Sequence, residues 1–336
     1  MRTVVGAYAA APRFEGDADF RRYVDQVLAL PRVDGLEIPY FLHDESPWRT
    51  FPYLRASPAE SRHVLTLLPA MVAGMGAAPG FGLASIDDEG RGAALDAVRR
   101  ARRFVADAND AGGGSIASVE LHSAPLRSAG SREAFARSLR EIEAWDWADV
   151  RVDVEHCDAL TDLPPAKGFL DLDDELEAIR STRAGMVINW ARSAIETRSV
   201  AGPRDHIALC GSPDALTGVV FSGCANIDTA YGAAWEDSHL PMSGWATDEL
   251  AATSSASLLT RGELEHCVSL ALSSSRLDFL GVKVCAPPAA TVHERLSLLA
   301  GNISMLALSI DSVSRPAALD DLSRDASPSQ GGQPDR

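Results

Sequence analysis

Residues 151–157 read RVDVEHC, a run in which Val152 and Val154 alternate with Asp153, Glu155 and Cys157. Side chains along a strand point to opposite faces with period two. One face of this segment is therefore apolar, and the other carries two carboxylates and a thiol. Seven similar short segments surround it: Thr3–Tyr8, Gly35–Pro39 (GLEIP), Val64–Leu68, Ile116–His122 (IASVELH), Met186–Trp190 (MVINW), Gly218–Ser222 (GVVFS) and Phe279–Val284 (FLGVKV). Helical patterns with one charged and one apolar face lie between them, at Asp17–Leu30, Gly90–Asn109, Ser131–Trp145, Leu172–Arg183, Thr260–Ser275 and Val292–Ile310. Strands alternating with helices imply a parallel sheet. Eight such units in 336 residues imply an α/β chain folded as one (β/α)8 barrel, a TIM barrel in a single domain over residues 1–312. The segment 313–336, dominated by Ser, Pro, Asp, Gln and Gly from Pro316 onward, is expected to be a disordered tail without chemistry.

Composition narrows the partners. There are 31 basic and 47 acidic side chains, a net charge of −16, and 46 % of residues are hydrophobic. That field repels a phosphate backbone and an anionic bilayer surface, so neither nucleic acid nor membrane is expected as a partner. The expected partner is a small molecule. Cys157, Cys210, Cys224, Cys267 and Cys285 are odd in number and lack CxxC spacing, which reads as reduced thiols in a cytosolic protein. The opening MRTVVGAYAAAP has too short an apolar run for a signal peptide and is read as the first strand. No apolar run reaches the ~18 residues that a membrane span needs.

The alternation rule also sorts the polar residues. If Leu36 and Ile38, Val119 and Leu121, Val152 and Val154, Ile188 and Trp190, and Leu280, Val282 and Val284 face the helices, then Glu37, Glu120, His122, Glu155, Asn189 and Lys283 face the lumen. All sit at or near the C-terminal ends of their strands, where barrels of this kind carry their sites. Burying such groups unpaired costs roughly several kcal/mol each, so the cluster must be paired, hydrated or used. For each residue alone, an ordinary ion pair or loop hydrogen bond is the competing account.

The residues resemble the xylose isomerase-like superfamily, which includes sugar isomerases, ketose 3-epimerases, inosose dehydratases and the endonuclease IV group. Glu37 in DGLEIP resembles the acidic residue that ends strand 2 in that superfamily, and VDVEHCD resembles the strand 5 signature whose glutamate binds a divalent metal. The segments HSAP, VEHCDA, INWARSAIE and FSG are most similar to a subfamily of unknown function, which supplies a fold and no substrate. The resemblance implies a Mn or Mg ion held by Glu155, a carbohydrate substrate and compatibility with a homo-oligomer. The rest of the implied ligand set is replaced: Asn189 stands for an aspartate, Arg192 for a histidine, Phe221 and Ser222 for a histidine, and Lys283 for a glutamate. An amide and two cations are poor company for a hard cation. No cofactor is therefore assigned, with a divalent metal left as the alternative.

These groups suggest isomerase- or epimerase-like proton transfer on a sugar or sugar derivative. Glu155 and Glu120 would be base and acid, Lys283 would steady a developing oxyanion, and His122 would orient the pair or relay the proton. A Schiff-base aldolase or lyase using Lys283, a glycoside hydrolase using two carboxylates, and a sugar-binding barrel without activity are the alternatives. Candidate substrate contacts are Glu37, Asn189, Arg192, His156 and Asp158 at the rim, and Tyr8 at the end of the first strand. Trp235 and His239 join them from DTAYGAAWEDSHLP, where four-residue spacing with Tyr231 suggests a helical lid or core packing. Arg192 and Glu196 have the same spacing and could equally pair with each other. NAD and ATP are not implied, since no GxGxxG or P-loop motif occurs.

Overall fold

The computed structural model describes residues 1–42, 48, 51–159, 167–246 and 248–314. Eight parallel strands close into one barrel in chain order, with β1 paired to both β2 and β8. They are β1 (Arg2–Val5), β2 (Gly35–Pro39), β3 (Arg62–Thr66), β4 (Ser115–Leu121), β5 (Arg151–His156), β6 (Met186–Asn189), β7 (Leu216–Phe221) and β8 (Phe279–Val282). The single-domain TIM barrel expected from the alternation is what the chain forms.

The helices are α1 (Asp17–Leu28), α2 (Phe51–Ala56), α3 (Leu68–Ala77), α4 (Asp88–Asp110), α5 (Arg132–Glu143), α6 (Leu172–Ile179), α7 (Trp190–Thr197), α8 (Ala201–Gly211), α9 (Glu249–Ala252), α10 (Arg261–Ala271) and α11 (Val292–Ser314). In α1, Phe20, Tyr23, Val24 and Val27 recur at helical spacing and all are buried. Side-chain caps start the helices where the sequence supplies them: Asp87 accepts from the amides of Glu89 and Gly90, and Ser131 from that of Ala134. α3 is absent from the helical patterns expected from the sequence. Its residues carry no polar stripe, so periodicity gave no sign of it. α11 is long and apolar enough on average to satisfy a length-and-composition test for a membrane span. It packs as an outer helix of the barrel against α1, α10 and β8. It ends at Ser314, and the tail expected from Pro316 onward lies outside the described residues.

Two boundary differences bear on the site. β1 stops at Val5, and Tyr8 sits in a 3-10 turn over Ala7–Ala10. Trp190 was expected on the outer face of the sixth strand, but it opens α7 because the Asn189 side chain caps that helix at the Arg192 amide.

The lower lumen is mostly apolar. Val4, Val64, Val187, Val220 and Phe279 form a buried cluster separate from the main core. Gly218 makes room for Phe279: a Cβ there would lie 2.5 Å from its ring. Ser118 of β4 is also buried at this depth, and Asp153, expected in the lumen, is polar too. It accepts from Arg151 and from the Gly185 amide, an ordinary ion pair near the N-terminal end of the barrel. This floor leaves the polar residues above it as a separate layer. Phe279→Ala is expected to cost about 3–5 kcal/mol, read as a lowered urea midpoint. An unchanged midpoint would mean that the ring is not what fills the floor.

Candidate active site at the C-terminal ends of the strands

Above the floor, Glu37, Glu120, His122, Glu155, Asn189 and Lys283 all lie at the strand ends, and all are buried. The structure adds Arg192 from α7 and a loop residue, Asp237, that the sequence reading missed.

Two ion pairs organise the layer. The Lys283 ammonium contacts Glu37 Oε1 at 2.7 Å, and the Tyr8 hydroxyl donates to the same oxygen at 3.0 Å. The ammonium also lies 5.0 Å from the centre of the Tyr8 ring. Gly6 allows this pair to rest against the end of β1. A Cβ at Gly6 would sit 2.8 Å from Lys283 Cγ and 3.1 Å from Glu37 Oε2. Burial alone would strip the Lys283 proton, but Glu37 and Tyr8 outweigh it and hold the ammonium well above its ordinary range.

The second pair joins Glu155 Oε1 to the Arg192 guanidinium at 2.5 Å. Asn189 Nδ2 donates to the same oxygen at 3.3 Å, and His122 Nε2 meets Oε2 at 2.8 Å. Burial would raise the Glu155 carboxyl, but Arg192, the His122 bond and Lys283 hold it well below the usual carboxylate range. Burial lowers His122, so its ring is neutral against an ionised Glu155. Nε2 is then the donor, and Nδ1 carries the lone pair. That Nδ1 is buried and has no hydrogen-bond partner.

Glu120 lies between these pairs and differs from both. Among the described residues, neither of its oxygens has a hydrogen-bond partner. Burial, then the charges of Glu155 and Glu37, raise its carboxyl well above the ordinary value. Lys283 and Arg192 are already matched by Glu37 and Glu155, so a proton on Glu120 leaves this set of five neutral.

The loop after β7 closes around Arg192. Asp237 Oδ2 accepts from Arg192 Nε at 3.1 Å and from Lys167 Nζ at 2.7 Å. His239 Nδ1 lies 3.2 Å from Asp237 Oδ1 and 2.9 Å from Ser222 Oγ. Burial alone would raise Asp237, but Lys167, His239 and Arg192 hold it well below its ordinary range. Asp158, just after β5, is buried and accepts from the Lys167 amide, which positions the lysine that meets Asp237.

Three sequence expectations are corrected. His156 was placed at the rim as a substrate contact. It follows Glu155 on the strand, so it faces outward, between Glu175 and Glu196. Arg192 and Glu196 do not pair with each other: Arg192 turns to Glu155 and Glu196 to His156. Tyr231, Trp235 and His239 form no helical lid. Trp235 and His239 have φ of 61° and 52°, and the intervening backbone turns repeatedly. Trp235 stacks near the Arg198 guanidinium, 5.4 Å from ring centre to Cζ, instead of offering its face to the lumen.

A metal of the kind the superfamily resemblance implies does not fit this lumen. Glu155 is present, but Arg192 already occupies one of its oxygens, and the Lys283 ammonium lies in the same layer. Two fixed cations where a divalent ion needs anionic oxygens or imidazoles oppose its binding.

Fold and site together define a TIM barrel with a buried polar layer at the C-terminal ends of its strands. An L-ribulose 3-epimerase structure aligns over 97 % of this chain and 99 % of its own, with a TM-score of 0.55 and 13 % identity. A sugar phosphate isomerase/epimerase structure described as putative, from Anabaena variabilis, aligns over 93 % and 99 %, with a TM-score of 0.58 and 10 % identity. A xylose isomerase domain protein from Alicyclobacillus acidocaldarius aligns over 92 % and 98 %, with a TM-score of 0.52 and 15 % identity. At such identities these likenesses establish the fold alone. Within that class, the chain belongs to the family described as domain of unknown function DUF4862, whose model matches residues 4–298. An uncharacterized protein of Salmonella typhimurium strain LT2 is 34 % identical over 313 residues, covering 90 % of this chain and 96 % of its own.

The raised Glu120 carboxyl has a consequence for stability. A group neutral in the fold but ionised in the unfolded chain contributes fully below its unfolded value, about 4.3. That contribution is lost as pH rises through the raised folded value. Glu120→Gln removes the loss. Its stability relative to the unsubstituted protein should improve steadily from pH 4 to pH 8 in urea unfolding; a difference independent of pH would show that Glu120 ionises normally.

Proposed function

We propose that this barrel catalyses isomerase- or epimerase-like proton transfer at a carbon beside the carbonyl of a sugar or sugar derivative, acting on a small molecule in the cytosol. The observation that carries this reading is the buried Glu120 carboxyl without a partner, next to a polar layer whose other charges are matched. A proton donor must keep its proton at working pH, and a carboxyl raised by burial and like charge does so. Glu120 supplies the acid.

The base is His122 Nδ1. Glu155 binds Nε2, fixes the tautomer, and stabilises the imidazolium that forms when the ring takes a proton. The sequence reading gave Glu155 the base role. With Arg192 and Asn189 on one oxygen and His122 on the other, a supporting role for Glu155 agrees better with its contacts. As the carbon loses its proton, negative charge grows on the carbonyl oxygen. The Lys283 ammonium, which has three N–H donors and spends one on Glu37, is a preorganised cationic donor for that charge. Return of the proton to the opposite face of the same carbon gives an epimer. Transfer to the neighbouring carbon gives an isomer.

The same contacts weigh on the alternatives. A Schiff base needs an unprotonated amine, whereas Glu37 holds Lys283 as the ammonium. A retaining glycosidase needs a free carboxylate nucleophile, whereas both Glu155 oxygens are engaged.

The test is incorporation of deuterium from D2O into a panel of ketoses and ketose phosphates, followed by proton NMR. Glu120→Gln should lower exchange by about 10²–10⁴-fold, the usual worth of a positioned acid or base, and Lys283→Met should also lower it. Full exchange in the Glu120→Gln protein would overturn the assignment.

A further inference from the structure

Glu155 and His156 are neighbours on β5 and face opposite ways, so a second polar cluster lies behind the strand, outside the lumen. His156 is completely buried there, with Nδ1 2.6 Å from Glu175 Oε2 and Nε2 2.9 Å from Glu196 Oε2. His206 on α8 brings its ring to 5.2 Å from that of His156, inclined by 76°. One ligand atom from each of His156, Glu196 and His206 lies within 4.8 Å of the others.

We propose that His156, Glu196 and His206 form a binding site for a zinc-class divalent cation on the outer side of β5, separate from the lumen. The donor set is two imidazoles and one carboxylate, which suits zinc and its neighbours better than magnesium or calcium. With metal–ligand distances of about 2.0–2.1 Å, adjacent ligands of a tetrahedral site stand ~3.3 Å apart. The 2.9 Å separation of His156 Nε2 and Glu196 Oε2 therefore needs to widen by only a few tenths of an ångström.

The surroundings of the three residues supply a second, independent observation. Metal-bound histidines characteristically donate their remaining N–H to a carboxylate, which fixes the tautomer. Glu175 stands at His156 Nδ1 in that role, and Ser123 Oγ donates to its other oxygen at 2.5 Å. Ser193 Oγ meets His206 Nδ1 at 2.9 Å and orients that ring in turn. The Ala159 amide donates to Glu196 at 2.9 Å. The Glu196 side chain keeps 17 % of its surface exposed, so the cluster borders solvent on that side.

Such an ion would tie β5 to α7 and α8. Glu196 lies one turn after Arg192 on α7, so the ion would fix the helix that delivers Arg192 to Glu155. The inference does not rest on the proposed reaction.

The test uses the full chain, dialysed against a chelator and titrated with Zn²⁺ alone by calorimetry, with Co²⁺ as a spectroscopic stand-in. One ion per chain is expected, with a tetrahedral Co²⁺ spectrum. Affinity should fall at least tenfold in Glu196→Gln and in His206→Ala, and about 10–100-fold in Glu175→Gln. Zinc should raise the melting midpoint of the parent and of Glu120→Gln, but not of His206→Ala. His206→Gln replaces the alanine variant if that fails to fold. Absence of saturable zinc binding would overturn the proposal, as would equal affinity in the parent, Glu196→Gln and His206→Ala. Binding lost in Glu120→Gln and kept in Glu196→Gln would place the ion in the lumen and also overturn it.

Discussion

A low-dielectric enclosure must keep its charges matched, and this barrel does so with three acids and only two cations in one layer. Lys283 takes Glu37 and Arg192 takes Glu155. The third acid is left to hold a proton, because a further negative charge beside two carboxylates, away from water, is the most expensive state available. The floor side chains Val4, Val64, Val187, Val220 and Phe279 tighten the constraint, since they offer no hydrogen bond from below. Arg192 is then held a second time, by Asp237, so the loop after β7 belongs to the same electrostatic unit as the strands.

This arrangement separates the chain from what its superfamily resemblance implies for the lumen. Where a divalent cation would gather carboxylates, two organic cations hold them instead. An ammonium and a guanidinium are fixed to the backbone and cannot be lost to dilution, but each brings a single charge and a bulky stem. Gly6 shows the steric side of this exchange: the lysine stem occupies the space that any side chain on the end of β1 would need.

The barrel and the inner cluster were legible in the sequence because period-two alternation is a local signal, repeated strand by strand. RVDVEHC, IASVELH and GLEIP each sort themselves, and the structure keeps Glu37, Glu120 and Glu155 in one layer. The same rule, applied one residue further, should have turned His156 outward; proximity to Glu155 in the sequence obscured that. That Arg192 and Asp237 would meet was beyond reach for a different reason. Their meeting depends on how α7 and a non-helical loop are placed in space, which no periodicity encodes. Trp235 and His239 misled through an apparent four-residue repeat that positive-φ turns interrupt. α3 was invisible because a helix apolar on every side has no stripe to detect.

The ends of the chain meet in the finished ring. β1 bonds to β8, Arg2 pairs with Asp278, and Arg295 of α11 reaches the carbonyl of Ala10 at 2.9 Å and that of Pro288 at 3.0 Å. During synthesis the first strand must therefore wait, one edge bare, until almost everything else has left the ribosome. An exposed edge of this kind is a template for pairing with another chain. The last strand and its arginine latch arrive late, so a chain that stops before residue 279 leaves this edge of β1 unpaired.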